Sequence, residues 1–386
     1  MIEPEQLPFL IDEIDQASSE EISRLKELRQ EITRLGKARH IRDFSATAIS
    51  LVASDGGNNR LQFDPFEVQI IRVVDSYGQE ACLKVVSRYK NIATLSREQV
   101  DEDGNPLSPL GELMIDLGVS TLSELSPMLR PRKDKETGKE TLNPSWVLVY
   151  RDLWEWAILY DKFKKGYFAT NTLIVIDGLL RSKVFSGDLF IQMIKKIQEY
   201  IKTIKAKQRR DVYLVGVAKR SKVLDRYRLA MMLEGIMREP RPVFVRVPQE
   251  IEELSYDWPE YTRRPEDDVE GKEKAKFVGG YLFLAKFGSR PGDHIWPVDI
   301  LLGQQDNAEK ILAYLKSDAE EGFPIPYYPN CIQRAHEHSA LTGIDMEILQ
   351  LEIIKSLLGN MPTSADVESF EEFILNPKDP AGARYE

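Results

Sequence analysis

Cysteine and histidine are both scarce in this chain of 386 residues. Only Cys82 and Cys331 are present, far apart and without CxxC spacing, and the histidines are His40, His294, His336 and His338. That scarcity excludes a disulfide framework and a cysteine–histidine zinc centre. No run of eighteen apolar residues occurs, so no membrane span is expected. The opening "MIEPEQLPFLIDEIDQ" is acidic and lacks the basic start and apolar core of a signal peptide. A cytoplasmic protein is the expectation. A phosphate loop of the form G-x-x-x-x-G-K-[ST] is also missing. The nearest piece, "TGKET" at 137–141, has neither the upstream glycine nor the final Ser or Thr, so ATP hydrolysis by that route is excluded.

What is present is ordinary globular material, 42% apolar and 30% charged, long enough for two or three domains or one large one. The net charge of −10 argues against a chain coated in nucleic acid. Its distribution says more. Residues 181–228 hold fourteen Lys or Arg against four Asp or Glu. Such a strip on an acidic body suits a polyanion drawn into one groove, and equally a set of solvated helix faces.

Residues 18–36 predict a helix with a Ser18/Glu21 capping box, a stop at Gly36 and an apolar stripe of Ile22, Leu25, Leu28, Ile32 and Leu35. Strand-like runs follow at 46–54, 66–74 and 81–88, separated by "DGGNN" and "DSYGQE", the pattern of an antiparallel meander. Helical material covers about 108–130, and the charged 130–144 segment reads as an exposed loop. A helix from about Pro144, a strand at 172–176, a basic helix at 188–207, a strand at 212–217 and a helix at 222–237 come next. Later strands are expected at 242–247 and 276–287, followed by helices and a loose tail.

The order places acids at strand ends. Asp55 ends the first strand in "SLVASDGG", and Asp177 ends the fourth in "VIDGLL". If those strands are neighbours, both carboxylates emerge at one sheet edge, where Glu155 of the intervening helix can reach them. Asp152, Glu112 and Asp116 compete with Glu155 for that place. Converging carboxylates repel unless a cation lies between them, and oxygen ligands select Mg²⁺ or Mn²⁺. Two such ions would clamp the attacking and leaving oxygens of a phosphodiester. A "DG" after a strand is also a common turn signal, and the joint order carries more than either motif alone.

Four stretches resemble the NurA nucleases, over roughly residues 45–345: "VASDGGNN" with Asp55, "RDLWEWA" with Glu155, "LIVIDGLL" with Asp177, and "YYPNCIQRAH" with Tyr328 and His336. Lys219 in "VGVAKRS" also fits. The Asp55–Glu155 interval is longer than the family usually shows, and Gly57 stands where a small hydroxyl residue is expected. The resemblance implies an α/β fold with a ribonuclease H-like mixed sheet, an antiparallel meander followed by parallel strands, flanked by helices and extended by helices at both ends. The corresponding division is a helical arm at 1–40, a nuclease domain at 41–345 with an insertion around 100–144, and a C-terminal helix and tail at 346–386.

It further implies a DNA nuclease dependent on Mn²⁺ or Mg²⁺, usually a homodimer, working with a hexameric HerA-type ATPase in DNA end processing or defence against foreign DNA. Asp55, Glu155, Asp177 and His336 would be metal ligands, with Lys219, Tyr328 and His336 acting on the phosphate, its leaving oxygen or a base. Arg181, Lys205, Lys207, Arg209, Arg210, Lys219, Arg220 and Tyr328 are the expected nucleic-acid contacts. Other readings are a different ribonuclease H-like enzyme, such as a resolvase or an RNA-cleaving nuclease, and a catalytically idle DNA-binding clamp. His338 points away from His336 and is read as structural, and Cys331 has no base identified beside it.

Overall fold

The computed structural model describes the chain except residues 1–2, 4–5, 44–49, 64–65, 88–89, 134–139, 263–274, 342 and 376–386. Helix α1 (Leu7–Ile32) opens the chain, and β1 (Arg39–His40) follows. The meander β2 (Ser50–Phe63), β3 (Phe66–Asp75) and β4 (Glu80–Ser87) leads to the short helices α2 (Ile92–Arg97), α3 (Pro109–Asp116) and α4 (Leu122–Leu125). A small ribbon, β5 (Arg132–Lys133) with β6 (Glu140–Thr141), precedes the long α5 (Trp146–Lys165). Then β7 (Thr172–Asp177), α6 (Leu189–Gln208), β8 (Val212–Val217), α7 (Lys222–Leu233), β9 (Val243–Arg246) and α8 (Gln249–Ser255) alternate. A hairpin of β10 (Gly280–Lys286) and β11 (Ile295–Leu301) is followed by α9 (Ala308–Glu320), α10 (Asn330–Ser339), α11 (Gly343–Gly359) and α12 (Ser364–Leu375).

Among the described residues, nine strands form one mixed sheet in the order β1-β9-β10-β11-β8-β7-β2-β3-β4. The meander is antiparallel, β7 and β8 run parallel to β2, and β11 turns antiparallel again beside β8. An antiparallel meander followed by parallel strands is the expected order. Strand β11 was not legible because Pro297 reads as a strand breaker. It is tolerated because β8 has ended by then: the Pro297 carbonyl accepts the N–H of Ala218, just past β8, at 3.1 Å.

Alternation along the buried strands feeds two cores. Ile174 and Leu214 turn to the layer of α3, α5 and α6, where Tyr150, Trp154, Tyr160 and Phe190 fill the interior. Leu173, Val175, Val215 and Val217 turn to α9 and α10, meeting Ile311, Leu315, Ile332 and Ala335. A third core joins α1, α7 and α8 to β9 and β10.

Helix α1 departs from the expected boundaries. It starts at Leu7, runs through Ser18 without a cap there, and yields to a short 3₁₀ turn before Gly36 at φ 78°. Pro8 suits the first turn, and the apolar period already begins at Leu7, Ile11 and Ile14, upstream of the capping box. Leu25, Leu28, Ile32 and Leu35 pack on α7, while Phe9, Ile14 and Ile22 stay exposed. Among the described residues no helix is long and apolar enough to cross a membrane.

Candidate active site

Strand β2 does not end at Asp55. It continues through "DGGNN" to Phe63, paired residue for residue with β3. The Val- and Ile-rich β3 supplies a complete ladder of partners, and that pairing overrides the local turn preference of Gly and Asn. The strand that stops is β7. Ser54 pairs with Ile176, so position 55 is the next in register beside Asp177, the last residue of β7. The side chain of Asp55 and the beginning of the expected strand, 46–49, lie outside what is described.

Asp177 is fixed from two directions. The Tyr328 hydroxyl donates to Oδ1 at 2.9 Å and lies 3.2 Å from the Val217 carbonyl, while the Lys219 ammonium meets Oδ2 at 3.1 Å. The next residue, Gly178, has φ 125°, and its N–H bonds to the Val217 carbonyl. Its carbonyl would lie 2.3 Å from any Cβ placed on Gly216, so both glycines are required where the two strands part.

Lys219 lies in the short link from β8 to α7. The link is held at one end by the Ala218–Pro297 hydrogen bond and at the other by Ser221, whose hydroxyl caps α7 by accepting from the Leu224 N–H. Tyr328 precedes α10. Gln333, one turn into that helix, holds the loop by accepting from the Ile325 N–H and donating to the Tyr328 carbonyl at 2.9 Å. The Tyr328 ring is fully buried against Trp296, with centroids 4.7 Å apart, and the Lys219 ammonium stands 5.5 Å from its centroid. A buried ring cannot stack on a base. The expected contact of Tyr328 with nucleic acid is therefore corrected: it positions a carboxylate.

His336 lies on the exposed side of α10, the helix that packs across β2, β3 and β7 on the Tyr328 face. His338, two residues on, passes its carbonyl to Arg72 of β3. Cys331 is buried, and burial beside Asp318 holds its thiol well above the usual range, so it is no nucleophile at neutral pH.

Glu155 sits across the sheet on α5, ion-paired with Arg151 one turn earlier at 3.1 Å. A six-residue loop turns α5 back antiparallel to β7, so the half carrying Arg151, Asp152 and Glu155 lies toward the end where Asp177 stands. Glu112 and Asp116 both bind Lys164 in the last turn of α5, toward the other end of β7. Asp152 pairs with Arg151 at 3.0 Å, and burial raises its carboxyl above the usual range.

The basic strip divides. Arg181 is a correction: its side chain is only 3% exposed, gripped by Asp299 of β11 through two bonds of 2.8 and 3.1 Å and by Glu252 of α8 at 2.8 Å. Nucleic acid cannot reach it. Lys205, Lys207, Arg209 and Arg210 gather at the end of α6, beside the start of β8, and Lys205 pairs with Asp211. The Asp211 carbonyl meets the Thr172 N–H at the first residue of β7, so this cluster is at the end of the strand opposite Asp177. Only Lys219 and Arg220 of the expected contacts are both exposed and at the Asp177 end. Nothing in the local sequence of "RSKVF" separates a buried arginine from a surface one; its partners lie 71 and 118 residues away in "EIEEL" and "PVDIL".

As a donor set, Asp55, Asp177, Glu155 and His336 are carboxylates with one imidazole, suited to Mn²⁺ or Mg²⁺. Among the described residues, Asp177 Oδ1 accepts from Tyr328 and Oδ2 meets Lys219, and each carboxylate oxygen has two lone pairs. Among the described residues no three such side chains already cluster.

No family model matches the chain, and no curated protein does. Solved structures of similar shape include the NurA nuclease from Sulfolobus solfataricus, at 12% identity and TM-score 0.41 over 94% of this chain and 99% of that one. NurA bound to dAMP and manganese is another, at 11% identity and TM-score 0.37 over 94% and 98%. A third is the Marinitoga piezophila Argonaute in complex with guide RNA and target DNA, at 11% and 0.25 over 77% and 30%. At these scores the likeness carries no weight for function, which rests on the side chains.

Proposed function

We propose that this chain is a metal-dependent nuclease acting on DNA ends or single strands, built on a ribonuclease H-like core. The observation that carries the reading is Asp177 at the free end of a central parallel strand, next in register to position 55 and held by Tyr328 and Lys219. Asp55 and Asp177, with Glu155 and His336 from the two helical layers, would hold Mn²⁺ or Mg²⁺. Such an ion supplies Lewis-acid stabilisation of phosphate charge and an activated water.

The chain's own groups divide the remaining work. Tyr328 would restrain Asp177 through its hydroxyl, leaving the carboxylate at the strand end for a cation. Lys219, half exposed, offsets charge on a phosphate entering beside Asp177. His336, exposed on α10, would carry a proton to a leaving 3′-oxygen or complete the ligand set.

With no phosphate loop of its own, the nuclease would have DNA fed to it by a HerA-type hexameric ATPase. The exposed apolar residues of α1, Phe9, Ile14 and Ile22, suit either that contact or the interface of a homodimer. Incubating the purified chain with end-labelled single- and double-stranded DNA, with and without Mn²⁺, tests the reading. Absence of cleavage in every condition would favour a DNA-binding clamp instead.

A further inference from the structure

Beside Asp177, on the far side of Lys219, lies a cavity of about 610 Å³. Helix α7 and the turn after it form one wall, and the tip of the β10–β11 hairpin forms the other. Its size falls within the range of sites that enclose a small organic ligand. Lys219 is common to both places: it lines the cavity and meets Asp177 at 3.1 Å. Whatever fills the cavity therefore lies one side chain away from the candidate reaction centre.

The lining has two halves. Lys219, Arg220, Arg228 and Arg238 outnumber Asp225 and Asp293, so the cavity favours an anion. Arginine forks suit phosphate oxygens in particular. The floor is apolar and soft, with Met231 and Met237 buried and Met232 at the rim. Methionine adapts to flat ligands of differing outline, so such a floor accepts any base rather than choosing one. His294, in the hairpin, packs tilted against Trp296, centroids 4.0 Å apart, and Trp296 in turn packs on Tyr328. Burial and the neighbouring Arg228 hold the His294 ring below its usual pKa.

We propose that this cavity is a nucleotide subsite: a base of the bound strand rests on the methionine floor while its phosphate is gripped by Arg228 and Arg220. The proposal rests on the nuclease reading for its purpose, since the nucleotide held there would be the neighbour of the phosphate at Asp177. Such a subsite would register a strand end without sequence preference. A nucleotide answers both halves at once, its phosphate meeting the cations and its base the methionine floor.

The test is titration calorimetry with thymidine 5′-monophosphate in EDTA, so that neither metal nor cleavage enters the result. Wild type should bind saturably and more tightly than it binds inorganic phosphate. Arg228→Gln should weaken binding roughly tenfold or more, the loss of one charge-assisted hydrogen bond. Met232→Glu, at an exposed rim position that folding does not depend on, should weaken it similarly. Asp177→Asn should bind as well as wild type or better, because a nearby negative charge is gone. Wild-type binding that is indifferent to both cavity variants would overturn the subsite, as would the absence of saturable binding up to millimolar nucleotide. A chain that binds the nucleotide through Arg228 and Met232 but never cuts DNA would uphold the subsite and remove the nuclease reading, so the two failures are distinguishable.

Discussion

The Tyr328 hydroxyl donates to Asp177 at 2.9 Å across 151 residues of sequence, from a ring that is wholly buried. Burial of an aromatic with its one polar atom spent on a carboxylate is a positioning arrangement. It restrains the acid without exposing the ring to substrate.

Tyr328→Phe keeps the ring and removes only the hydroxyl, so the chain should fold with a loss of about 1 kcal/mol. Asp177 would keep Lys219 and lose its second restraint. Turnover should fall while KM for DNA stays unchanged, and half-maximal activity should need more Mn²⁺. Steady-state kinetics across a Mn²⁺ series measures both. An increase in KM alone would instead make Tyr328 a substrate contact.

The basic cluster at the end of α6 should matter less than its charge suggests. It lies at the first residue of β7 and Asp177 at the last, five steps away, or about 17 Å at 3.3 Å per residue. Reversing charge at Lys205, Lys207, Arg209 and Arg210 should leave the cleavage rate at saturating DNA near wild type. Arg220→Ala should weaken DNA binding and flatten its log–log salt dependence by roughly 0.7 to 0.9. Binding measured over a salt series for both variants separates the two surfaces.

Arg181 should behave as a structural residue. Its guanidinium joins Asp299, Glu252 and the Tyr261 carbonyl in the interior, just after the loop that leaves Asp177. Arg181→Ala strands two buried carboxylates, and breaking a buried pair in this way costs about 3 to 5 kcal/mol. Thermal denaturation should show a large loss of Tm. A stable Arg181→Ala protein with specifically weakened DNA binding would contradict the assignment.

The same cluster carries a pH dependence. Burial, opposed by Arg181, pushes the Glu252 carboxyl up to about 7 from an ordinary value of 4.5. The folded state then holds its proton more tightly than the unfolded state, so stability from this group is full below 4.5 and declines as pH rises to about 7. Glu252→Gln should remove that decline, raising Tm relative to wild type at pH 8 and leaving little difference near pH 4.5. Melting curves for the two proteins across this range are the check.

Periodicity was sufficient for the elements whose partners are local. The "DSYGQE" hairpin, the helix through "RDLWEWA" and the strand ending in Asp177 fall where their apolar pattern places them. It was insufficient wherever a distant strand decides the matter. The continuation of β2 past Asp55 depends on β3, and β11 is tolerable with Pro297 only because β8 stops beside it. The joining of Asp177, Lys219 and Tyr328 follows from motifs visible in the chain, but the buried state of Tyr328 follows from Trp296, which no motif marked. Arg181 shows the limit most directly: its basic neighbours read as surface, while the carboxylates that bury it lie 71 and 118 residues away.

The central claim is that Asp177 serves chemistry at the end of β7. Cleavage of end-labelled DNA should be measured with wild type and Asp177→Asn in Mn²⁺, in Mg²⁺ and in excess EDTA, with melting curves for both proteins. The expected result is metal-dependent cutting by wild type, none in EDTA, and none by Asp177→Asn although its melting curve shows it still folded. Full activity in EDTA, or an Asp177→Asn protein within about threefold of wild type (under 1 kcal/mol of barrier), would contradict it.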